Sequence, residues 1–411
     1  MKIPRGFAPL RERNFGLYWA GQAISFCGTW IENTATSWLL YELTADPVLL
    51  GLGGLFRAGP SILLTMIGGA IADRVPRRRL LLFTQSANGL TSLALGWLVW
   101  SAQIQPWQIY LFNLLNGTLQ AFDGPARQAL FPTLVPRGQI QAAVTLNAVS
   151  TRSAALVGPA IAGLLLAQVG TAAPFFLNAV SYLALVGALV AMRLPADARA
   201  RKRTLRADLA YGLKHVRADS VLGLILVLEA ISSLFGHNTA IVTIVARDVL
   251  RVGPGGLGLL LSGIAGGATV GIVGLVGVGS VRRKGRLLLI SGALYVLVLA
   301  SFALSRTFWV SFGLLFALGL TDSIWNSTRN TIAQLATPDE LRGRVMAIVI
   351  TASRGLSQAS QAQTGVLVGW LGAPLAILTG AAVVGGSLLV AAIRAPGLRR
   401  FTGEPAAPGP A

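Results

Sequence analysis

Twelve long apolar runs decide which solvent this chain folds in. They lie at roughly 15–40, 48–72, 79–101, 107–124, 141–168, 173–194, 220–246, 255–279, 286–304, 308–327, 344–369 and 373–394. About 18–20 apolar residues in a helix cross a bilayer core of about 30 Å. A backbone exposed to lipid must satisfy its own hydrogen bonds, so each run is expected to be a helix; the alternating pattern of a membrane barrel is not found. Composition points the same way. The chain is 54% hydrophobic and 12% charged, against about 25% charged in soluble domains. Disorder is excluded, and a water-soluble enzyme is not expected.

The formal net charge of +19 comes from 34 Lys+Arg against 15 Asp+Glu. Its distribution is a topology signal. Basic residues gather in the N-terminal tail, in the even-numbered loops after spans 2, 4, 8 and 10, in the central stretch Arg193 to Arg217, and in the C-terminal tail. The opposite loops carry only Arg247, Arg251 and Arg306. Both termini are therefore expected in the cytoplasm, the chain in a bacterial cytoplasmic (inner) membrane, and nucleic acid is not expected as a partner. Cys27 has no second cysteine to bridge to, and His215 and His237 have no metal-ligand spacing. The first apolar run is too long for a cleaved signal and reads as an uncleaved span.

Residues 195–219 form the longest polar stretch and divide spans 1–6 from spans 7–12. The expected organisation is an N-terminal bundle at 1–194, a cytoplasmic linker at 195–219, a C-terminal bundle at 220–394 and a tail at 395–411. Within the linker, Leu205, Leu209, Leu213 and Val216 at helical spacing predict an amphipathic helix. The halves repeat at an offset of about 202 residues: Arg127 with Arg329, Pro136 with Pro338, Arg152 with Arg354, Gly170 with Gly372. A parallel repeat of six spans is a transporter architecture. The predicted fold class is thus an all-α polytopic membrane protein, with twelve transmembrane helices in two pseudo-symmetric six-helix bundles.

The loop after span 2 reads Gly69-Ala70-Ile71-Ala72-Asp73-Arg74-Val75-Pro76-Arg77-Arg78-Arg79. This resembles the signature loop of the major facilitator superfamily, with Pro76 where that family usually has Gly. Span 5 carries Ala154, Gly158, Pro159, Ala162 and Gly163, similar to the superfamily's antiporter motif with Ala at two of the Gly positions. The stretches RNFGLYWAGQ at 13–22, WLLYELT at 38–44 and ELRGRVM at 340–346 resemble the branch of bacterial enterobactin exporters and macrolide-type efflux carriers. The resemblance implies rocking of two halves about a cavity lined by spans 1, 4, 7 and 10. It also implies that Asp73 holds an inner gate by pairing with basic groups and the start of span 11. Span 4, taken as ending at 124, contains no arginine, so proton coupling through the Arg-x-x-Gln-Gly motif of many drug antiporters does not carry over.

Six charges fall in the interior of the runs, away from their ends: Glu32, Arg57, Arg152, Glu229, Asp322 and Arg354. Each costs about 2.5–3.5 kcal/mol at a helix centre, which marks such positions as functional candidates or buried pairs. Glu32, Asp322 and Glu229 are the proton-coupling candidates, Glu32 first. Arg57 is expected to pair with Glu32, because both lie at similar depth from the turn Ala45-Asp46-Pro47. Arg152 and Arg354 could meet an anionic substrate. Polar stripes add Asn113, Asn116, Gln120 and Asp123 on span 4, Ser233 and His237 on span 7, Trp325, Asn326 and Arg329 at the end of span 10, and Gln358 and Gln361 on span 11. Gly263, Gly267 and Gly271 repeat at four residues and predict a close helix contact. The glycine-rich runs follow no strand and offer no phosphate loop, so the energy source is expected to be a proton gradient, without cofactor or metal.

The expected function is secondary-active export of a small amphipathic molecule, an antibiotic or a siderophore, by proton antiport with alternating access. The partners are the bilayer, substrate and protons, and a monomer is the expected functional unit. Two alternatives share the fold: a lipid or lysolipid flippase, and a substrate sensor without net flux. No nucleophile–base pair or metal cluster suggests an enzyme.

Overall fold

The computed structural model describes residues 5–193, 220–279 and 281–400, and every regular element among them is helical. The predicted linker helix and most of the C-terminal tail lie outside the described residues. The long helices are α1 (Arg13–Thr44), α2 (Pro47–Ala72), α3 (Arg77–Trp100), α4 (Pro106–Leu130), α5 (Ile140–Gln168) and α6 (Ala173–Ala191). They continue with α7 (Ser220–Phe235), the short α8 (Thr239–Ile244), α9 (Pro254–Val278), α10 (Lys284–Leu304), α11 (Phe308–Ala336), α12 (Asp339–Leu371), α13 (Ala373–Arg394) and a final short α14 (Pro396–Arg400). Among the described residues, eight helical stretches are long and apolar enough to cross a membrane: α2, residues Arg137–Gln168, α6, Leu222–Val249, α9, α10, α11 and α13.

Local chemistry sets the ends. Ala45 stops α1 in the left-handed region at φ 47°. Asp46 then caps α2, its Oδ1 accepting the Val48 N–H at 2.7 Å and the Leu49 N–H at 3.3 Å, with Pro47 in the first turn. Asp46→Ala is expected to cost about 1 kcal/mol in thermal unfolding of the detergent-solubilised protein. Gly372, at φ 77°, turns the chain from α12 into α13.

The boundaries differ from the sequence reading in three places. α4 runs on to Leu130 and α11 to Ala336, so Arg127 and Arg329 are helix residues and not loop residues. Hydropathy falls away at these polar ends, whereas in the folded chain each guanidinium pairs with a carboxylate and the helix continues past it. The seventh run breaks at residues 236–238. There the Asn238 side chain takes the Ile241 N–H at 3.0 Å and starts a new helix. A π-turn over Val245–Val249 follows α8.

The described residues group into two units, 5–193 with 242–262, and 220–241 with 263–400. In the first, α2 packs on α4, α1 on α5 and α6, and α3 on α4 and α6. Phe15, Tyr18, Leu81, Leu130, Leu185 and Leu189 fill one end of it. In the second, α10 packs on α11 and α13, and α7 on α12 and α13. The predicted glycine seam lies here. A Cβ on Gly267 would overlap the Phe316 carbonyl, one on Gly271 would sit 2.7 Å from the Leu320 carbonyl oxygen, and one on Gly263 would press on the Phe312 ring. Large apolar side chains such as Leu63, Phe83 and Leu183 are exposed, as lipid-facing positions must be.

Candidate functional site

Each unit holds a buried polar constellation. In the first, Glu32 on α1 is 1% exposed and accepts a hydrogen bond from Ser92 Oγ of α3. Asn178 of α6 donates to Ser92 Oγ at 3.3 Å, and Ser181 Oγ donates to Asn178 Oδ1 at 2.8 Å. A Cβ on Gly28 would lie 2.7 Å from Ser181 Cβ, so that glycine lets α6 approach the carboxylate's neighbourhood. Arg57 does not pair with Glu32. Its Nη1 donates to Asn33 Oδ1, and among the described residues no ion pair joins the two charges. Comparable depth is not the same face: Asn33 is one residue on, about 100° around the helix.

Further along the unit, Asp123 accepts from Thr84 Oγ1 at 3.1 Å and Gln85 Nε2 at 2.5 Å, and forms an ion pair with Arg127 one turn later. The Arg127 guanidinium also lies 5.7 Å from the Phe26 ring centroid. The expectation that span 4 lacks an arginine is therefore corrected. Asn116 contacts Asn88 at 3.4 Å, and Asn113 is buried beside Gly53. Gln120 and Arg152 are exposed on α4 and α5.

In the second unit Glu229 of α7 and Arg329 of α11 form an ion pair whose side chains are 2% and 4% exposed. Arg329 Nη1 also donates to Ser232 Oγ at 2.8 Å, and Ser233 Oγ donates to Glu229 at 3.1 Å. The Trp325 ring lies 5.2 Å from the Arg329 guanidinium and 5.3 Å from the Tyr295 ring. Tyr295 contacts His237. Asp322 and Asn326 are half-buried on α11. Gln361 donates to Gln358 at 3.3 Å on α12. Arg354 is on α12, with its side chain outside the described residues.

The motif residues have definite partners. Gly69 is in the last turn of α2, Asp73 caps it with its N–H bonded to the Gly69 carbonyl, and Asp73 and Arg74 are exposed. Arg77 donates to the Ala129 carbonyl at 3.0 Å, and Arg78 to the Leu189 and Val190 carbonyls at 2.7 and 2.8 Å. These arginines thus neutralise the free C-terminal carbonyls of α4 and α6. In the antiporter-like motif, a Cβ on Gly158 would meet the Cys27 carbonyl at 3.3 Å. One on Gly163 would lie 2.7 Å from the Pro254 carbonyl oxygen, and one on Gly258 would clash with the Pro159 carbonyl. The motif is a packing seam of α5 with α1 and with the first turns of α9.

Sequence reasoning missed Tyr295, Ser92 and Asn178. It also missed Asp248, which accepts from the Tyr41 hydroxyl while Arg247 donates to the Tyr41 carbonyl and lies 5.2 Å from its ring. The readable signal was the repeat itself, which aligns Arg127 with Arg329, and each forms an ion pair with a carboxylate.

The fold is that of solved membrane transporters. The structure superposes on the nucleoside transporter NupG with a TM-score of 0.71 at 14% identity, over 92% of this chain and 98% of that one. On a bacterial homologue of the human lysosomal transporter Spinster, inward-facing and occupied, the TM-score is 0.68 at 12% identity, over 97% and 99%. The chain belongs to the transmembrane secretion effector family of major facilitator transporters, which it matches over residues 5–405. It is 26% identical to the enterobactin exporter EntS of Shigella boydii serotype 4 over 85% of this chain and 82% of that one. It is 31% identical to the staphyloferrin A transporter of Staphylococcus aureus over 40% and 42% of the two chains, and 25% identical to the MFS-type transporter YfiS of Bacillus subtilis over 87% and 88%. It is a multi-span membrane transporter and not an enzyme.

Proposed function

We propose that this protein exports a small anionic amphipathic molecule of the siderophore class across the bacterial inner membrane in exchange for protons. One observation carries the substrate class: the likeness to an enterobactin exporter extends over 85% of the chain. Two buried carboxylates on separate helices, Glu32 and Glu229, support proton coupling. Desolvation favours the neutral form of a carboxylate and a nearby guanidinium favours the ionised form, so a change in access can load or release a proton. Asp322, on the same helix as Arg329, is the third candidate. Arg152, exposed on a helix of a membrane protein, is a contact for an anionic substrate, and Arg354 is its counterpart in the repeat.

In this reading α1, α3, α4 and α12 also span the membrane. They carry the polar residues that a wet cavity needs, which lowers their hydropathy. Two six-helix bundles then alternate access, with both termini cytoplasmic. The exposed tryptophans support a membrane interface at the helix ends that carry them, while the orientation rests on the basic loops. Trp97, Trp100, Trp107, Trp309 and Trp370 lie at the helix ends remote from the basic loops, where an interfacial aromatic belt belongs. Asp73 is assigned to the inner gate.

The test is efflux from cells stripped of their main pumps and loaded in turn with a catecholate siderophore, a macrolide and a cationic dye. The expected result is export of the siderophore that stops when a protonophore is added. Export of the macrolide or dye alone would overturn the substrate class. Siderophore export that continues at full rate with the protonophore would overturn proton coupling.

A further inference from the structure

The polar chain in the second unit begins and ends on the same span. Glu229 and His237 lie two turns apart, on either side of the last residues of α7. Glu229 holds Arg329, Arg329 lies over Trp325, Trp325 packs on Tyr295, and the Tyr295 hydroxyl accepts the His237 main-chain N–H at 3.1 Å. The same hydroxyl is 3.3 Å from His237 Nδ1. Gly236 makes that approach possible, since a Cβ there would lie 2.7 Å from the Tyr295 hydroxyl.

These contacts fall on the break between α7 and α8. A continuous helix would satisfy the His237 N–H from within, whereas here a side chain of α10 does it. On the far side of the break, Asn238 is fixed independently: it caps Ile241 and donates to Ser360 Oγ at 3.2 Å and Thr364 Oγ1 at 2.7 Å. Between the two fixed ends lie Gly236, whose N–H bonds the Ser232 carbonyl at 2.9 Å, and His237, whose N–H depends on Tyr295. A small cavity lined by Gly236, His237, Leu299, Phe302 and Thr364 adjoins the break.

We propose that Tyr295 is the positioning residue that ties the charge state of the Glu229–Arg329 pair to the break in the seventh span. A proton on Glu229 takes away the ion-pair partner of the buried Arg329 guanidinium, which keeps the Ser232 hydroxyl, the Trp325 face and the more distant charge of Asp322 on its own helix, an unfavourable arrangement. The guanidinium moves, Trp325 and Tyr295 follow, and the His237 N–H is released. This rests on the proton-antiport reading, in which Glu229 gains and loses a proton during transport.

The test is a double-mutant cycle read by amide hydrogen exchange of the full-length protein in lipid nanodiscs, which requires no transport. Glu229→Gln mimics the protonated carboxyl, and Tyr295→Phe removes only the hydroxyl. Each alone is expected to speed exchange at 236–240 by roughly threefold to tenfold, the worth of one hydrogen bond. Together they should speed it no more than Tyr295→Phe alone. Multiplicative effects would assign Tyr295 a purely structural role and overturn the proposal, as would an unchanged rate in Glu229→Gln. If Glu229→Gln does not fold, Glu229→Gln with Arg329→Met takes its place: it removes the guanidinium whose displacement moves Trp325 and Tyr295, so exchange at 236–240 close to the parent's is expected, and exchange as fast as in Tyr295→Phe would overturn the proposal. In efflux assays, Tyr295→Phe is expected to lower the maximal rate with the half-saturating substrate concentration unchanged. Efflux by the parent that does not depend on the proton gradient, with an intact exchange cycle, would sink the antiport reading and leave the linkage standing.

Discussion

Arg329→Met is expected to cost about 3–5 kcal/mol, because it leaves the Glu229 carboxylate buried without its counter-charge. The measurement is thermal or denaturant unfolding of the detergent-solubilised protein. Glu229→Gln with Arg329→Met should recover most of that loss, since a neutral pair of similar volume leaves no charge to solvate. The repeat supplies an internal comparison. Arg127 occupies the equivalent place in the first half, yet its side chain is 16% exposed, and Asp123 keeps donors in Thr84 and Gln85 when the arginine is gone. Arg127→Met is therefore expected to cost only about 1–2 kcal/mol. Equal losses at the two sites would mean that the stabilisation comes from side-chain packing and not from charge.

The second large effect is steric. In Gly267→Val the new Cβ overlaps the Phe316 carbonyl and lies 3.0 Å from the Leu320 nitrogen, and both atoms are backbone. No rotamer relieves the clash, so α9 and α11 must separate, at a cost of about 3 kcal/mol or more. Gly274→Val, two turns further along the same helix, meets nothing within 4 Å. It is expected to fold and unfold like the parent, which separates the seam from a general intolerance of valine in α9.

Much of this architecture was legible as sequence. Period and length identified the helices, because lipid leaves the backbone no other solution. The Gly263, Gly267 and Gly271 repeat gave the α9 contact face, and Asp46-Pro47 gave the start of α2. What was not legible depended on partners distant in sequence. Glu32 and Arg57 share a depth but not a face, and Glu32 meets Ser92 instead, sixty positions away. Arg127 and Arg329 looked like loop residues because each follows the last apolar stretch of its run, and hydropathy cannot see the carboxylate that pairs with it. The break in the seventh span is encoded by Gly236 and Asn238, a weak signal in an apolar run until Tyr295, Ser360 and Thr364 are seen to hold it.

The central claim is proton-driven export of an anionic substrate. Its most direct measurement uses purified protein in liposomes, with an imposed pH gradient and a radiolabelled catecholate siderophore, parent beside Glu32→Gln and Glu229→Gln. The account predicts siderophore movement against the proton flux in the parent, collapse on dissipating the gradient, and loss of that gradient dependence in at least one carboxylate variant. Gradient-driven movement that survives both variants would move the coupling site to Asp322; siderophore movement at the same rate with or without the gradient would contradict the claim.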